Sequence, residues 1–148
     1  METRHKQTGS QTRKRDPQAS RRRLLEAAID VFGRSGPEAA SVDDICRRAG
    51  LNKRMVYHYF GSKEGLYREA LRTVYDEFAG VEIALAHMLL PPEELLETLV
   101  RRYHAFLAEH PESVRLISFE NLHGGRVARQ LALEGKKAQI ATALQLAL

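Results

Sequence analysis

The chain has little of what secreted and membrane-spanning proteins need. Its 148 residues contain one cysteine, Cys46, which excludes an internal disulfide framework. The longest apolar stretch, residues 81–90, is interrupted by Glu82 and His87 and falls short of the roughly 18 residues of a membrane span. The polar N-terminus has no apolar run typical of a signal peptide. These absences predict a soluble protein of a reducing, cytoplasmic compartment with no membrane partner.

Strand signals and catalytic motifs are missing as well. Alternation of apolar and polar residues never persists for the four or more positions of a half-buried strand, so the predicted fold class is all-α. The sequence has no Gly-rich phosphate loop, no serine nucleophile elbow and no pair of carboxylates in a supporting context. The histidines lack the three- or four-residue spacing that places two metal ligands on one helical face. We therefore expect no enzyme, no metal site and no cofactor.

Charge is divided unevenly along the chain. Residues 1–60 hold 13 Lys and Arg against 7 Asp and Glu, whereas residues 61–148 hold 10 against 12. The basic excess is therefore confined to one end, as expected when a phosphate-binding module is joined to a nearly neutral region.

The N-terminal residues divide into an arm and a helix. Residues 1–16 are polar, basic and without an apolar face, which predicts a disordered arm; it either follows DNA phosphates or is a solvated tail. From Pro17 or Ala19 a helical stripe begins, closed by Gly36-Pro37, and its apolar residues are Leu24, Leu25, Ala28, Ile29 and Phe32. Arg21, Arg22 and Arg23 either lie along DNA or form a solvated face.

Two short helices with a tight turn follow the first helix. Ser41 can cap the first of them, and Gly50 stands where a left-handed residue would end it. Asn52 can cap the second, whose apolar residues Val56, Tyr59 and Phe60 recur at three- and four-residue spacing. This pattern predicts a helix-turn-helix, with the cations of the second helix directed outward.

At these residues the sequence resembles a known family. The segments Asp44-Ile45, Ala49-Gly50-Leu51-Asn52, Val56-Tyr57-His58-Tyr59-Phe60 and Ser62-Lys63-Glu64 resemble the DNA-binding end of tetracycline-repressor (TetR) type transcriptional regulators. The resemblance extends from about Arg21 to about Phe78 and is weak beyond. It implies an N-terminal three-helix DNA-binding domain joined by a fourth helix to a helical regulatory and dimerisation domain.

The resemblance also implies residue roles. The positions that contact base edges in the family correspond to Lys53, Arg54 and Met55, which favours a guanine-containing half-site. Arg54 stands where many relatives have a small residue, so it either adds a base contact or turns to a phosphate. The positions that contact the DNA backbone correspond to Ser41, Tyr57, His58, Tyr59 and Lys63. Tyr59 and Phe60 are also candidates for the core.

The remaining sequence predicts further helices. Ser62 can cap a long fourth helix, and Pro92 suits the first turn of a fifth. The fifth helix has a predicted buried face made of Leu96, Leu99, Val100, Tyr103, Phe106 and Leu107. Two more apolar patterns follow, the last running to Leu148, where the chain is shorter than family members usually are. The predicted domains are the arm 1–16, the DNA-binding domain 17–66 and a partial regulatory domain 67–148.

The function implied by the resemblance is that of a ligand-responsive transcriptional regulator. We expect a repressor that binds a palindromic double-stranded operator as a homodimer and responds to a small-molecule effector, with activation as an open alternative. The residues that bind the effector are not predicted. A different class also fits: a helical interaction module whose basic face binds acidic partners.

Overall fold

The computed structural model describes residues 16–88 and 90–135, and all of its regular elements are helices. Six helices have defined bounds: α1 Pro17–Ala39, α2 Val42–Ala49, α3 Lys53–Phe60, α4 Lys63–Ala86, α5 Pro92–Glu109 and α6 Pro111–Leu122. Residues 126–135 are also helical. The all-α prediction is confirmed. None of the helices in these ranges combines the length and apolar composition needed to cross a bilayer. The predicted arm up to residue 15, and the apolar pattern of residues 136–148, lie outside the described residues.

Helix α1 begins and ends where its flanking residues require. The Asp16 side chain accepts a hydrogen bond from the Gln18 amide at 2.9 Å, and Pro17 occupies the first turn, where its missing N–H costs nothing. The regular helix stops at Gly36, whose φ of 75° lies in the left-handed region. A Cβ at Gly36 would also stand 3.0 Å from the Phe119 ring of α6, so this end of α1 needs glycine for two reasons.

The predicted helix-turn-helix is present. The Ser41 hydroxyl accepts from the Asp44 amide at 3.0 Å and caps α2, and Gly50 ends α2 with φ 62° and ψ 38°. The Asn52 side chain accepts from the Met55 amide at 3.3 Å and caps α3. Ser62 caps α4 through the Gly65 amide at 3.0 Å. Each of these helix starts was predicted from the same capping residue.

Helices α1, α2, α3, α4 and α6 share one apolar core. Its fully buried large side chains are Phe32, Leu24, Ile45, Leu66, Leu71, Leu116, Val56 and Val74. They come from five helices, so each helix buries one stripe against its neighbours. Burying a side chain of this size stabilises the fold by about 1.5–3 kcal/mol. The core therefore fixes how α3 is held relative to α1 and α4.

The predicted buried face of α5 is covered only in part. No residue of α5 is buried, and Leu96 and Val100 are 64% and 61% exposed. Leu99, Tyr103 and Phe106 are half-buried. Phe106 stands 4.5 Å from Phe78 of α4, and Tyr103 stands 6.1 Å from it, measured between ring centroids. The apolar stripe of α5 is wider than the surface that α4 and α6 offer, which leaves its remaining side chains exposed.

A buried carboxylate ties α6 to α4 and to residues 126–135. Glu120 is 4% exposed and accepts from the Tyr67 hydroxyl at 3.0 Å. Its other oxygen accepts from the Val127 and Ala128 amides at 2.7 and 3.1 Å, where a helix N-terminus favours negative charge. Burial, and then the hydrogen bond to Glu120, raise the pKa of Tyr67 well above its usual range. The Tyr67 phenol therefore stays protonated and keeps donating to Glu120.

Candidate nucleic-acid interface

Helix α3 has one buried face and one exposed face. Val56 and Phe60 are buried in the core, and Met55 and Tyr59 pack against it while remaining partly exposed. Lys53, Arg54, Tyr57 and His58 are exposed. With 3.6 residues per turn, positions 53, 54, 57 and 58 fall on one side of a helix. The exposed face of α3, defined as these four residues, therefore carries two cations, a phenol and an imidazole.

The three predicted base-contact residues differ in their exposure and in their bonding partners. Lys53 and Arg54 are fully on the exposed face, whereas Met55 is half-buried against the core. Arg54 makes no hydrogen bond or ion pair with any described residue, so its five donors remain available to another molecule. Lys53 is instead paired: its Nζ lies 3.2 Å from the Asp43 carboxylate of α2. The hydrogen bond to Asp43 raises the pKa of Lys53.

The predicted backbone-contact residues also divide. Tyr57 is 50% exposed, and His58 is exposed with its ring 5.0 Å from that of Tyr59. Lys63 donates to the Glu38 carbonyl oxygen at 3.1 Å, which leaves further ammonium hydrogens free. Ser41 is more constrained, because its hydroxyl caps α2 and donates to the Asp44 carboxylate at 2.7 Å. Its single hydroxyl hydrogen is therefore already used in this structure.

A second ion pair lies on the outer surface of α2. The Arg47 guanidinium stands 2.6 Å from Asp44. The hydrogen bond from Ser41, and next that from Arg47, lower the pKa of Asp44. Nearby, the thiol of Cys46 is buried, and burial raises its pKa. The Asp44 carboxylate is thus ionised at neutral pH, and the Cys46 thiol is protonated.

Arginines outside α3 complete the cationic surface. The guanidinium of Arg23, on α1, reaches the turn of the motif, because a Cβ at Gly50 would stand 2.8 Å from its Nη2. Arg23 and Arg47 line a cleft of about 840 Å³ together with Asn52 and Met55 at the start of α3. Arg47 was not predicted to belong to this cationic surface. Its position in the last turn of α2, beside Arg48, is the sequence feature that could have identified it.

Arg21, predicted to lie either along DNA or in a solvated face, has two partners within the protein and keeps a side chain that is 44% exposed. Its guanidinium pairs with Glu69 of α4 at 2.7 Å and lies 5.3 Å from the centroid of the Phe60 ring at the end of α3. A cation over an aromatic face is attracted by the quadrupole of the ring. Arg21 therefore links the end of α3 to α1 and α4.

This arrangement defines a class of protein. Two short capped helices, a left-handed glycine between them and an exposed cationic second helix are the parts of a helix-turn-helix that binds DNA. Family models agree in both halves: residues 24–70 match bacterial regulatory proteins of the tetR family, and residues 92–146 match a tetracyclin repressor-like C-terminal domain. The chain belongs to the TetR family of transcriptional regulators.

Curated relatives are regulators of the same kind. The chain is 40% identical over 125 residues to the HTH-type transcriptional repressor NicS of Pseudomonas putida, covering 81% of this chain and 59% of NicS. It is 36% identical over 115 residues to the HTH-type transcriptional activator FasR of Mycolicibacterium smegmatis, covering 76% and 52%. The chain thus spans a little over half the length of these relatives.

A solved structure has the same fold. A TetR-like transcriptional regulator from Rhodococcus sp. RHA1 superposes with a TM-score of 0.68 over 84% of this chain and 68% of that one, at 23% identity. The likeness supports the helix arrangement described above.

Proposed function

We propose that the protein is a ligand-responsive transcriptional repressor that binds a palindromic operator as a homodimer. The observation that carries this proposal is the division of α3 into a face locked in the core by Val56 and Phe60 and a face of exposed donors. A helix held rigidly on one side and cationic on the other suits insertion into a major groove.

The residue roles follow from exposure and partners. Arg54 is the base-contact residue best supported, because its guanidinium is free of described partners and can donate twice to the O6 and N7 acceptors of guanine. Lys53 is the second, and Met55 offers only a partly exposed edge for apolar contact. Tyr57, His58 and Lys63 are assigned to phosphates. Tyr59 and Ser41 are weaker candidates, since the first packs on the core and the second is bonded to Asp44.

The same division supports the proposed domains. Residues 17–66 comprise the helices that present the exposed face of α3, and residues 67–148 are assigned to effector binding and dimerisation. In the dimer, two copies of α3 enter major grooves about 34–36 Å apart, or a multiple of that distance, which requires a palindromic operator.

An effector would act by linkage rather than by touching DNA. A cleft of about 580 Å³ lies between α4 and residues 126–135, and it is lined by Tyr75, Asp76, Arg72 and apolar residues such as Leu131. Its volume is typical of small-molecule sites. Binding there would shift α4, and with it the spacing of the two α3 helices, toward an arrangement that fits the operator less well. We favour repression because the relative NicS is named a repressor. The relative FasR is named an activator, so activation is the alternative.

Selection from a randomised DNA pool tests the proposal. We expect the enriched duplexes to share a palindrome with guanine in each half-site. Arg54→Ala should then reduce discrimination at one half-site position by about 1–3 kcal/mol, whereas Arg115→Ala, which removes an exposed arginine from α6, should leave it unchanged. Failure of the wild-type chain to enrich any duplex over random competitor would overturn the proposal.

A further inference from the structure

The two cations at the start of α3 are in different electrostatic states. The Lys53 ammonium is 3.2 Å from both carboxylate oxygens of Asp43, one residue into α2. Arg54, its neighbour, makes no such contact with the described residues. An ammonium has three donors, so engagement with the two oxygens of Asp43 leaves at least one for another acceptor.

From this arrangement, and resting on the proposed DNA-binding function, we propose that Asp43 is a specificity-determining residue that acts through Lys53. It is a positioning residue: its carboxylate holds the ammonium at the start of α3, directs the remaining donor outward and reduces the attraction of Lys53 for phosphate.

The two kinds of DNA acceptor respond differently to a retained carboxylate. Guanine O6 and N7 are neutral, so Lys53 can donate to them while still bonded to Asp43. A phosphate carries a full negative charge, so it must compete with Asp43 for the ammonium and is also repelled by it. Binding at random sequence depends almost wholly on phosphates. Asp43 therefore weakens random binding and leaves a base contact intact.

The neighbouring charges do not perform the same task. Asp44 is engaged by Ser41 and Arg47, and Arg48 is paired with Asp30 at 2.8 Å. These contacts lie along α2 or between α2 and α1, and none of them reaches α3. Asp43 is the acidic residue among them that contacts the exposed face of α3.

The test compares two DNA duplexes of equal length: the duplex that the wild-type chain selects from a randomised pool, and a random-sequence duplex. With Asp43→Asn, affinity for the random duplex should rise roughly two- to fivefold, the range expected from loss of one exposed ion pair. Affinity for the selected duplex should not rise, so the preference between duplexes falls by that factor. The slope of log affinity against log salt on the random duplex should steepen by about one.

A double-mutant cycle shows whether the effect passes through Lys53. In a Lys53→Gln background, Asp43→Asn should change the preference between duplexes by less than about twofold, since the coupled partner is gone. Glu109→Gln, which removes an exposed carboxylate from the end of α5, is the control for net charge and should leave the preference unchanged.

Two results would overturn the proposal: an equal rise in affinity for both duplexes with Asp43→Asn, or the same change in preference with and without Lys53. If Lys53→Gln binds too weakly to measure, an unchanged salt slope for Asp43→Asn alone overturns it. Because the wild-type selection comes first, an empty selection would instead count against DNA binding itself.

Discussion

The helices of the helix-turn-helix region bury their apolar residues, whereas helix α5 leaves most of its apolar residues exposed. Leu24, Ile45 and Val56 are fully buried within three helices that pack on one another. Leu96 and Val100 are as apolar in character, yet they are more than half exposed on α5. The first region therefore completes its own core, whereas α5 contributes little beyond its aromatic contact with Phe78.

The difference teaches that amphipathic pattern and burial are separate properties. A stripe at helical spacing shows which face a helix can bury, but burial also requires a neighbour wide enough to cover it. The DNA-binding region has such neighbours on every side of its core. Its packed core is what holds the donors of α3 in the arrangement described above.

The largest expected contrast is between two identical substitutions. Leu24→Ala removes a fully buried side chain and should lower the free energy of unfolding by about 2–5 kcal/mol, through lost burial and the cavity left behind. Leu96→Ala removes a side chain that is 64% exposed and should change it by less than about 0.5 kcal/mol. Equilibrium unfolding in urea, followed by circular dichroism, measures both.

Equal losses for the two variants would mean that the α5 face is covered in solution. In that case the midpoint for Leu96→Ala should depend on protein concentration if a second copy supplies the cover.

Two glycines sharpen the comparison, because replacing each by alanine should change the stability of the protein in opposite directions. Gly50→Ala places a side chain at φ 62°, against the Arg23 guanidinium, and should destabilise the protein by about 1 kcal/mol. Gly80→Ala lies within α4, where the described residues place no atom outside the adjoining backbone within 4 Å of the new Cβ, and it should stabilise the protein by about 0.5–1 kcal/mol. Thermal unfolding of the two variants gives the signs directly, and a loss of stability at Gly80 would contradict the open surroundings described for it.

The smallest expected effect concerns pH. Because the pKa of Asp44 is lowered in the folded state, its contribution to stability is complete above its ordinary pKa of 3.8 and is lost as pH falls through the folded value. Asp44→Asn should therefore be less stable than the parent at pH 6, and this deficit should vanish in acid. Urea midpoints between pH 6 and pH 3 measure the trend. Glu97→Gln, in an exposed pair with Arg101 on α5, is the matched control and should show a negligible deficit.

Much of the fold could be predicted because its boundaries are set locally. Ser41, Asn52 and Ser62 each cap the helix that follows them, and Gly36 and Gly50 end the helices before them. Capping and left-handed glycines depend on neighbours within a few residues, which the sequence displays. The exposed face of α3 follows from the same local geometry, although its contacts with DNA stay predictions.

What could not be predicted depends on residues far apart in the chain. Arg21 meets Glu69 across 48 positions, and Tyr67 meets Glu120 across 53, so no local pattern announces either contact. Lys53 and Asp43 are closer, but which of two adjacent carboxylates pairs with which cation is decided by the angle between α2 and α3. The exposure of α5 likewise depends on what packs beside it.

The buried thiol of Cys46 has a practical consequence for studying DNA binding. Its raised pKa and its place in the core leave very little thiolate accessible to maleimide or iodoacetamide reagents. Because it is the sole cysteine of the 148-residue sequence, a cysteine introduced at an exposed position such as Ala105 of α5 should be labelled selectively. Fluorophores attached there would report the distance between two copies on one duplex without prior removal of the native thiol.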